Sequence, residues 1–405
     1  MLTSWQVHRS LLLSVYLPSS MMSYCQSSLL LVIPLYALDL GASPGLTALI
    51  FSLRGLGNMV ADLPAGYITI RLGPKITMLL GLALMSAAAS VGMLINSSLH
   101  LGLFSFVAGS AMALWLLARL TLIGDNIPND HRGKALSSLG GIQRMAGLFG
   151  PVSTGFIALA YGFSTVLMVI AIISGCALIL LFFTLEKTKP NKQAANANTN
   201  NEPSSTDLKK LKLLLLDHQG IFKTAGLAVL LLTVVRSARL LLIPLWGAHI
   251  ALDPSAIGLV VSFAGLIDTC MFPLAGYLMD RFGRKYAAVP CLLLLSCSLL
   301  LMPLSQTALQ LSLIAVLAGL GNGLGSGVTM TLGTDLAPPT ERAPFLSVWR
   351  LLNDTGSFSG PVLIGLITAA TTLAGAFVTS ALLGLTGLYV MTFLVKETLQ
   401  RSNES

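Results

Sequence analysis

Twelve stretches of mainly apolar residues alternate with short polar segments along the chain. A helix that crosses a bilayer needs about 20 such residues. The stretches lie at residues 10–38, 45–70, 75–95, 100–124, 137–161, 163–184, 221–249, 255–279, 285–304, 308–335, 345–370 and 374–396. The pattern predicts an all-α membrane protein with twelve transmembrane helices. We expect an N-terminal six-helix bundle over 1–185, a flexible cytoplasmic linker over 186–219 and a C-terminal six-helix bundle over 220–405.

Composition and charge support a place in a membrane. Hydrophobic residues make up 54% of the chain and charged residues only 10%, whereas soluble domains carry about 25% charge. With the N-terminus inside the cell, 18 of the 24 Lys and Arg residues fall in cytoplasmic segments, six lie within helices and the opposite loops hold none. This split predicts cytoplasmic termini and a plasma (bacterial inner) membrane location. It also explains the net charge of +8 without nucleic acid as a partner.

A repeat relates the two halves. The segment G-Y-L-M-D-R-F-G-R-K at 276–285 returns, weakened, as G-Y-I-T-I-R-L-G-P-K at 66–75, which lies 210 positions earlier. Prolines, glycines and charges elsewhere keep the same offset, as expected for a duplicated unit. Because four charges and two glycines fill 276–285 between apolar runs, we predict a very short loop there, tightened by the glycines.

This loop resembles the signature G-x-x-x-D-R-x-G-R-R/K of the major facilitator superfamily. Residues 276–285 match it fully, whereas the earlier copy has Ile70 in place of the acid and Pro74 in place of a basic residue. The resemblance implies that a charge cluster latches one conformation, with Asp335 paired to Arg281 or Arg284 and Asp125 facing Arg71. The alternative is that these charges only anchor helix ends. The implied gating residues are Gly66, Arg71, Gly73, Lys75, Asp125, Gly276, Asp280, Arg281, Gly283, Arg284, Lys285 and Asp335.

Several ionisable residues fall inside the apolar runs, where an unpaired charge is costly. By the packing of the superfamily, Asp62 is expected to pair with Arg350, and Asp268 to face Arg144. These pairs would break and form as the protein changes conformation, and one of the acids would carry the proton. A purely structural pair is the alternative. The implied set for charge pairing or proton coupling is Asp62, Arg144, Asp268, Arg350 and Asp354.

Residues 147–155 resemble the glycine–proline motif of proton-driven drug antiporters, with Thr154 in place of one glycine. The motif favours export. Close helix packing is the other interpretation, because Gly360-Pro361 and Gly365 repeat the pattern. The arginine that such antiporters carry near the start of the fourth helix is absent, since Ser105 stands there, which puts their usual proton route in doubt.

The superfamily fold places the first, fourth, seventh and tenth helices around a central cavity. The candidate cavity residues on them are Tyr24, Gln26, Arg119, Arg236 and Arg239. An arginine in a dry cavity binds anions in a bidentate manner. The transported molecule is therefore expected to carry an anion, unless these arginines pair with Asp268 or Asp354.

Together these features predict a secondary active transporter that works by alternating access, most simply proton-coupled export of a small organic molecule such as a drug, metabolite or siderophore. Proton-driven uptake of an anionic nutrient or metal chelate is the alternative. No enzymatic activity is expected, because the five histidines are scattered near helix ends. We expect no metal or cofactor, and as partners the substrate, protons and the lipid bilayer around a monomer.

Overall fold

The computed structural model describes residues 15–126, 129–184, 214–339 and 341–399, with side chains throughout except at 124–138 and 343. The predicted linker at 186–219 therefore lies outside the described residues up to residue 213. Twelve long helices fill the described ranges. They are α1 (Leu17–Asp39), α2 (Pro44–Leu72), α3 (Pro74–Gly92), α4 (Ser98–Asn126), α5 (Asn129–Tyr161), α6 (Phe163–Thr184), α7 (Gln219–His249), α8 (Pro254–Arg281), α9 (Lys285–Leu304), α10 (Ala308–Leu336), α11 (Arg342–Ala370) and α12 (Leu373–Leu394).

These helices match the twelve predicted apolar stretches one to one. Ten of them, within the part of the chain that the structure describes, are long and apolar enough to cross a membrane. The other two are the repeat-related α5 and α11, which have 33 and 29 residues. They are more polar because they carry Arg144, Arg350 and Asp354 together with the glycine–proline segments. The fold is thus an all-α membrane protein, as predicted.

The predicted short loop is confirmed, but only the second glycine of each segment makes the turn. The stretch 276–285 is helical up to Arg281, and 66–75 is helical up to Leu72. The chain reverses only around Gly73 and Gly283, whose φ angles are +87° and +122°. Gly66 and Gly276 lie inside helices and make no turn. The helices can continue to Arg71 and Arg281 because charged side chains at a helix end reach water without unwinding the backbone.

The tenth apolar stretch is also interrupted. Helix α10 ends its first part at Leu324 and begins its second at Val328, with Gly327 at a φ of +84° between them. The sequence N-G-L-G-S-G at 322–327 explains the break, because glycines weaken a helix and Gly327 adopts a left-handed conformation at no steric cost. The corresponding residues of α4 are apolar, and that helix is continuous.

The chain divides into two compact units. The first comprises Met1–Asn201 and Asp253–Ser262, and the second comprises Glu202–Leu252 and Phe263–Ser405. Inside the first unit α1 packs on α5 and α6, and α3 packs on α4 and α6. Inside the second unit α7 packs on α11 and α12, and α9 packs on α10 and α12. The same order of packing in both units shows that the sequence repeat is also a repeat of structure.

Individual hydrogen bonds repeat at the same offset. The Tyr36 hydroxyl donates to Ile95 O at 2.7 Å, and the Trp246 indole N–H donates to Ser305 O at 3.1 Å. Both pairs tie the end of the first helix of a unit to the loop before the fourth. Two different donors have thus kept one contact, because a buried polar group must find a partner.

The starts of the even-numbered helices repeat as well. Ser43 accepts the backbone N–H of Leu46 before α2, and Asp253 accepts that of Ala256 before α8. Thr307 caps α10 in the same way. Each side chain satisfies a backbone donor that the first helical turn leaves free. The Ser255 hydroxyl also donates to Asp253, and these hydrogen bonds lower the pKa of that carboxyl below its usual range.

Candidate functional site

A buried polar cluster lies in the second unit, where α7, α8, α9 and α10 meet. Its members are Arg236 and Arg239 on α7, Asp268 on α8, Cys291 on α9 and Asn322 on α10. Arg239 is 6% exposed, and the Asp268 side chain is 14% exposed. Charged groups at such depth are costly in a membrane unless they are paired, so the cluster is a functional-site candidate.

The Asp268 carboxylate accepts a hydrogen bond from an amide. Asn322 Nδ2 donates to Asp268 Oδ2 at 2.7 Å, whereas Arg239 Nη2 lies 3.9 Å from the same oxygen. The second distance is within ion-pair range but too long for a hydrogen bond. Asp268 therefore attracts the Arg239 charge without taking up its hydrogen-bonding capacity.

The Arg236 guanidinium has weak neutral partners among the described residues. Its Nη2 donates to Asn322 O at 3.3 Å and to the Cys291 sulfur at 3.8 Å. The Nε atoms of Arg236 and Arg239 are both buried and have no hydrogen-bond partner in the described part of the chain. The cluster therefore has donors to spare.

The break in α10 lies against this cluster. A side-chain carbon placed at Gly325 would overlap Arg236 Nη2 and the Cys291 sulfur. A glycine at that position therefore makes room for the guanidinium. Broken helices with free backbone groups are a recurrent feature of binding sites in transporters.

The candidate cavity residues of the first unit are spread over two helices. The Tyr24 hydroxyl hydrogen-bonds Ser153 on α5 at 2.6 Å, while Gln26 is half-buried on α1. Arg119 on α4 is 6% exposed, and its Nε and Nη1 have no partner among the described residues. One turn away, the Trp115 indole N–H is likewise buried without a described acceptor. This face of α4 also holds unused donors.

A second charged group forms where α8 turns into α9. Arg284 Nε donates to Asp335 Oδ2 at 2.8 Å, and its Nη1 donates to Met279 O at 2.7 Å. Asp280 lies 3.8 Å from the same guanidinium. Of the two partners expected for Asp335, the structure places Arg284 in contact, since Arg281 stacks instead on Tyr277.

Glu397 completes this group and was not singled out from the sequence. Its carboxylate accepts the backbone N–H groups of Arg284 at 2.8 Å and Lys285 at 3.0 Å, which caps α9. Thr398 beside it donates its hydroxyl to Asp335 at 2.8 Å. The sequence shows an acid directly after the last apolar stretch. It does not show that this acid contacts a loop more than a hundred residues earlier, because that contact depends on the tertiary structure.

The environment of Glu397 has opposing effects on its ionisation. Burial raises the pKa of the carboxyl, but hydrogen bonds from the backbone N–H groups of Lys285, Arg284, Leu399 and Thr398 outweigh it and lower the pKa below its usual value. The charged form is favoured because the N-terminus of a helix attracts negative charge. Glu397 is thus a carboxylate at neutral pH.

The two signature loops share their packing even where their sequences differ. Lys75 Nζ donates to Phe182 O at 3.3 Å, and Lys285 Nζ donates to Thr392 O at 2.6 Å. Both lysines bind the C-terminal carbonyls of the last helix of their unit, where a cation is favourable. Similarly, Arg71 lies over the Tyr67 ring at 4.5 Å, as Arg281 does over Tyr277 at 5.6 Å.

The intramembrane charges of α11 form a pair that was not predicted. Arg350 and Asp354 lie 3.6 Å apart on one face of α11. The pairs of Asp62 with Arg350 and of Arg144 with Asp268 would join the two units and stay predictions. The side chain of Asp125, the expected partner of Arg71, lies outside the described residues.

The glycine–proline segments bring helices close together within each unit. A side-chain carbon at Gly150 would overlap the Ser27 hydroxyl of α1, and one at Gly360 would overlap the Ser237 hydroxyl of α7. These serines are themselves 210 positions apart. Close packing is therefore a sufficient reason for both glycines.

Comparison with known proteins gives consistent matches. A family model described as Major Facilitator Superfamily matches residues 13–246 and 225–405. Multidrug resistance protein MdtG of Citrobacter koseri is 27% identical over 379 residues, which cover 86% of this chain and 86% of that protein. The MdtG protein of an Escherichia coli strain is 26% identical with the same coverage of this chain.

Solved structures show the same fold. Nucleoside transporter NupG aligns with a TM-score of 0.73 at 14% identity, covering 94% of this chain and 98% of NupG. A D-xylose-proton symporter aligns with a TM-score of 0.72 at 16% identity, covering 96% of this chain and 98% of the symporter. At these identities the likeness concerns the architecture of the chain.

Proposed function

Because the chain belongs to the Major Facilitator Superfamily, we propose that it is a proton-coupled secondary transporter that exports a small organic molecule by alternating access. Membership of the superfamily makes it a multi-pass membrane transporter. The proposal adds the direction of transport, the coupling ion and the class of substrate. We further propose that it works as a monomer in the plasma membrane with both termini in the cytoplasm.

The observation that carries the proposal is the buried cluster of Arg239, Asp268 and Asn322. Placing a carboxylate and a guanidinium inside an apolar bundle costs several kcal/mol, and better-packed apolar residues would stabilise the fold more. A structural role alone is therefore a poor reason for the cluster. Binding of a polar solute or a proton explains the cluster better, and Asp268 is the acidic group of that site.

Export is supported by two sequence resemblances. The relatives that align over 86% of the chain are named multidrug resistance proteins. The segment 147–155 also resembles the motif of drug antiporters. Neither feature defines a particular drug, so the proposal is limited to small organic molecules.

The contact of Arg284 with Asp335 supports the gating part of the proposal. It joins the loop after α8 to the end of α10, and Glu397 and Thr398 bind the same two elements. We infer that this group holds the cytoplasmic end of the second unit in one arrangement and loosens during the transport cycle. The remaining signature-loop residues then position the group.

One observation favours uptake as a second candidate function. The buried cluster contains two guanidinium groups, of which Arg239 lies 3.9 Å from the Asp268 carboxylate, and this suits an anionic nutrient or a metal chelate. A proton-driven importer of such a molecule would use the same residues. Only the direction of net transport separates the two functions.

Transport by the purified protein in liposomes tests the proposal. Pooled small cationic, neutral and anionic solutes are offered on either side, with and without a pH gradient. We expect movement of a solute from the cytoplasmic side, driven by an opposing proton gradient, and a large loss in Asp268→Asn. Glu341→Gln is a matched control, because this exposed acid lies 3.4 Å from His218 and outside the buried cluster. Transport that is indifferent to the pH gradient would refute proton coupling, and inward accumulation would favour uptake.

A further inference from the structure

We propose that Arg236 and Arg239 bind the oxyanion of the transported molecule, and that this molecule is a small organic carboxylate or phosphoryl compound. The inference rests on the proposed function, since it names the substrate class of the same site. Both arginines project from α7 into the buried cluster, three positions apart on one helix face. A guanidinium pair in this arrangement presents several N–H groups in one direction.

The charge balance of the cluster is the first support. Two guanidinium groups and the carboxylate of Asp268 belong to the cluster, and Asp268 lies 3.9 Å from the Arg239 guanidinium. Arg236 and Arg239 are neighbours on one face of α7, so their like charges repel each other. A bound anion would remove this repulsion, whereas a bound cation would add to it.

The unused donors are the second support. Arg239 is nine-tenths buried, yet its Nε has no described partner, and the same holds for Arg236 Nε. A buried donor without an acceptor costs roughly 1–3 kcal/mol. Nε and one Nη of a guanidinium form a fork that fits two oxygens of a carboxylate or phosphoryl group.

Asp268 does not fill this role, because its position is fixed by Asn322. The amide hydrogen bond at 2.7 Å holds Oδ2 at 3.9 Å from Arg239 Nη2. Asp268 offsets one of the two positive charges when the site is empty and leaves the Nε atoms of both arginines without a described acceptor. A substrate oxyanion would supply the acceptors that Asp268 cannot reach.

The break in α10, which lies beside Arg236, is a third feature of the cluster. The second part of α10, nine residues long, begins at Val328, close to Gly325, which faces Arg236. The N-terminal end of a helix carries a partial positive charge and attracts anions. In transporters, such half-helix starts point at the anionic group of a substrate.

The experiment uses the whole protein in liposomes and three matched solute pools. The first contains small carboxylates and phosphonates, the second neutral amides and alcohols, and the third primary and quaternary ammonium compounds. We expect transport from the first pool, reduced at least tenfold in Arg236→Gln and Arg239→Gln. Transport by Arg236→Lys should lie between that of Arg236→Gln and that of the unchanged protein. Lysine keeps the positive charge but lacks the planar pair of N–H donors that binds two oxygens. Lys223→Gln, which removes a charge from the start of α7 outside the cluster, should transport normally.

Folding is controlled by the melting temperature of each purified variant. Glutamine is suitable because Gln26 occupies the position equivalent to Arg236 in the first unit. The melting temperature of the unchanged protein should also rise with the first pool and not with the third at equal ionic strength. This second measurement detects binding even where a variant fails to fold.

The outcomes separate the two proposals. Transport of ammonium or neutral compounds that persists in Arg236→Gln and Arg239→Gln would overturn the oxyanion site while leaving the exporter intact. Absence of transport from all pools would refute the proposed function, and the melting temperatures would then decide the binding claim alone. Equal stabilisation by the first and third pools would also overturn it.

Discussion

Arg284 and Asp335 are joined by a hydrogen bond of 2.8 Å, although 51 residues separate them along the chain. Their side chains are only 13% and 22% exposed, so water screens the pair less than a surface pair. The bond links the turn after α8 to the end of α10. Around it, Glu397 and Thr398 bring in the segment after α12, so three separate parts of the second unit meet at one charged group.

Removing either Arg284 or Asp335 should weaken the contacts among these three parts of the second unit. We predict that Arg284→Ala and Asp335→Ala each destabilise the purified protein, and that a double-mutant cycle gives a coupling of about 1–3 kcal/mol, as for hydrogen bonds to charged groups. Thermal unfolding in detergent measures it. Arg281→Ala is the control, because that guanidinium stacks on Tyr277 and should not couple to Asp335. A coupling near zero for Arg284 and Asp335 would contradict the inference that their contact holds the end of the second unit in one arrangement.

Glu397 predicts a dependence of stability on acid. Its pKa is lowered in the folded protein from the usual value of 4.5, so it stabilises the fold above that value, and the contribution is lost as the pH falls through the lower folded pKa. We expect Glu397→Gln to melt below the unchanged protein at pH 7, with the difference shrinking as the pH falls below about 4.5. Melting curves between pH 7 and pH 3.5 measure this. A difference that stays constant with pH would show that the charge is unimportant.

Ala251 carries backbone strain that its repeat partner avoids. Its φ is +59°, whereas the equivalent residue is Gly41 with a φ of +79°. A residue with a side chain is disfavoured there by about 1 kcal/mol. Ala251→Gly should therefore stabilise the protein by up to about 1 kcal/mol, in thermal or denaturant unfolding. Gly41→Ala should do the opposite. It is a clean comparison, because nothing lies within 4 Å of the added carbon. Equal stability of all three proteins would refute the strain.

Gly109 permits a close contact between α4 and α2. A side-chain carbon there would overlap Arg54 O, and Gly319 faces Ala264 O in the same way in the second unit. We predict that Gly109→Ala destabilises the protein by about 1–3 kcal/mol, because the helices must separate. Gly140→Ala is the matched control. It has open space around it and should be neutral or slightly stabilising, since alanine favours helix. Unchanged melting of Gly109→Ala would mean that the helices separate at no cost.

Much of the fold was readable in the chain itself. The twelve apolar stretches and the turns at Gly73 and Gly283 follow from local requirements, and the repeat at 210 positions is visible by comparing the two halves of the sequence. A span must be apolar for about 20 residues, and a tight reversal needs a residue that tolerates positive φ. The N-caps Ser43 and Asp253 obey a rule that is equally local.

The partners of individual side chains were decided only by the tertiary structure. Asp335 meets Arg284 and not Arg281, Asp268 is held by Asn322, and Glu397 caps a helix that begins 112 residues before it. Which side chains meet depends on how each helix is rotated about its axis and where a glycine lets two helices approach. The rotation and the spacing of the helices are set by the packing of the whole unit. Because these helices are apolar on nearly all sides, the hydrophobic pattern does not show which side of each helix packs inward.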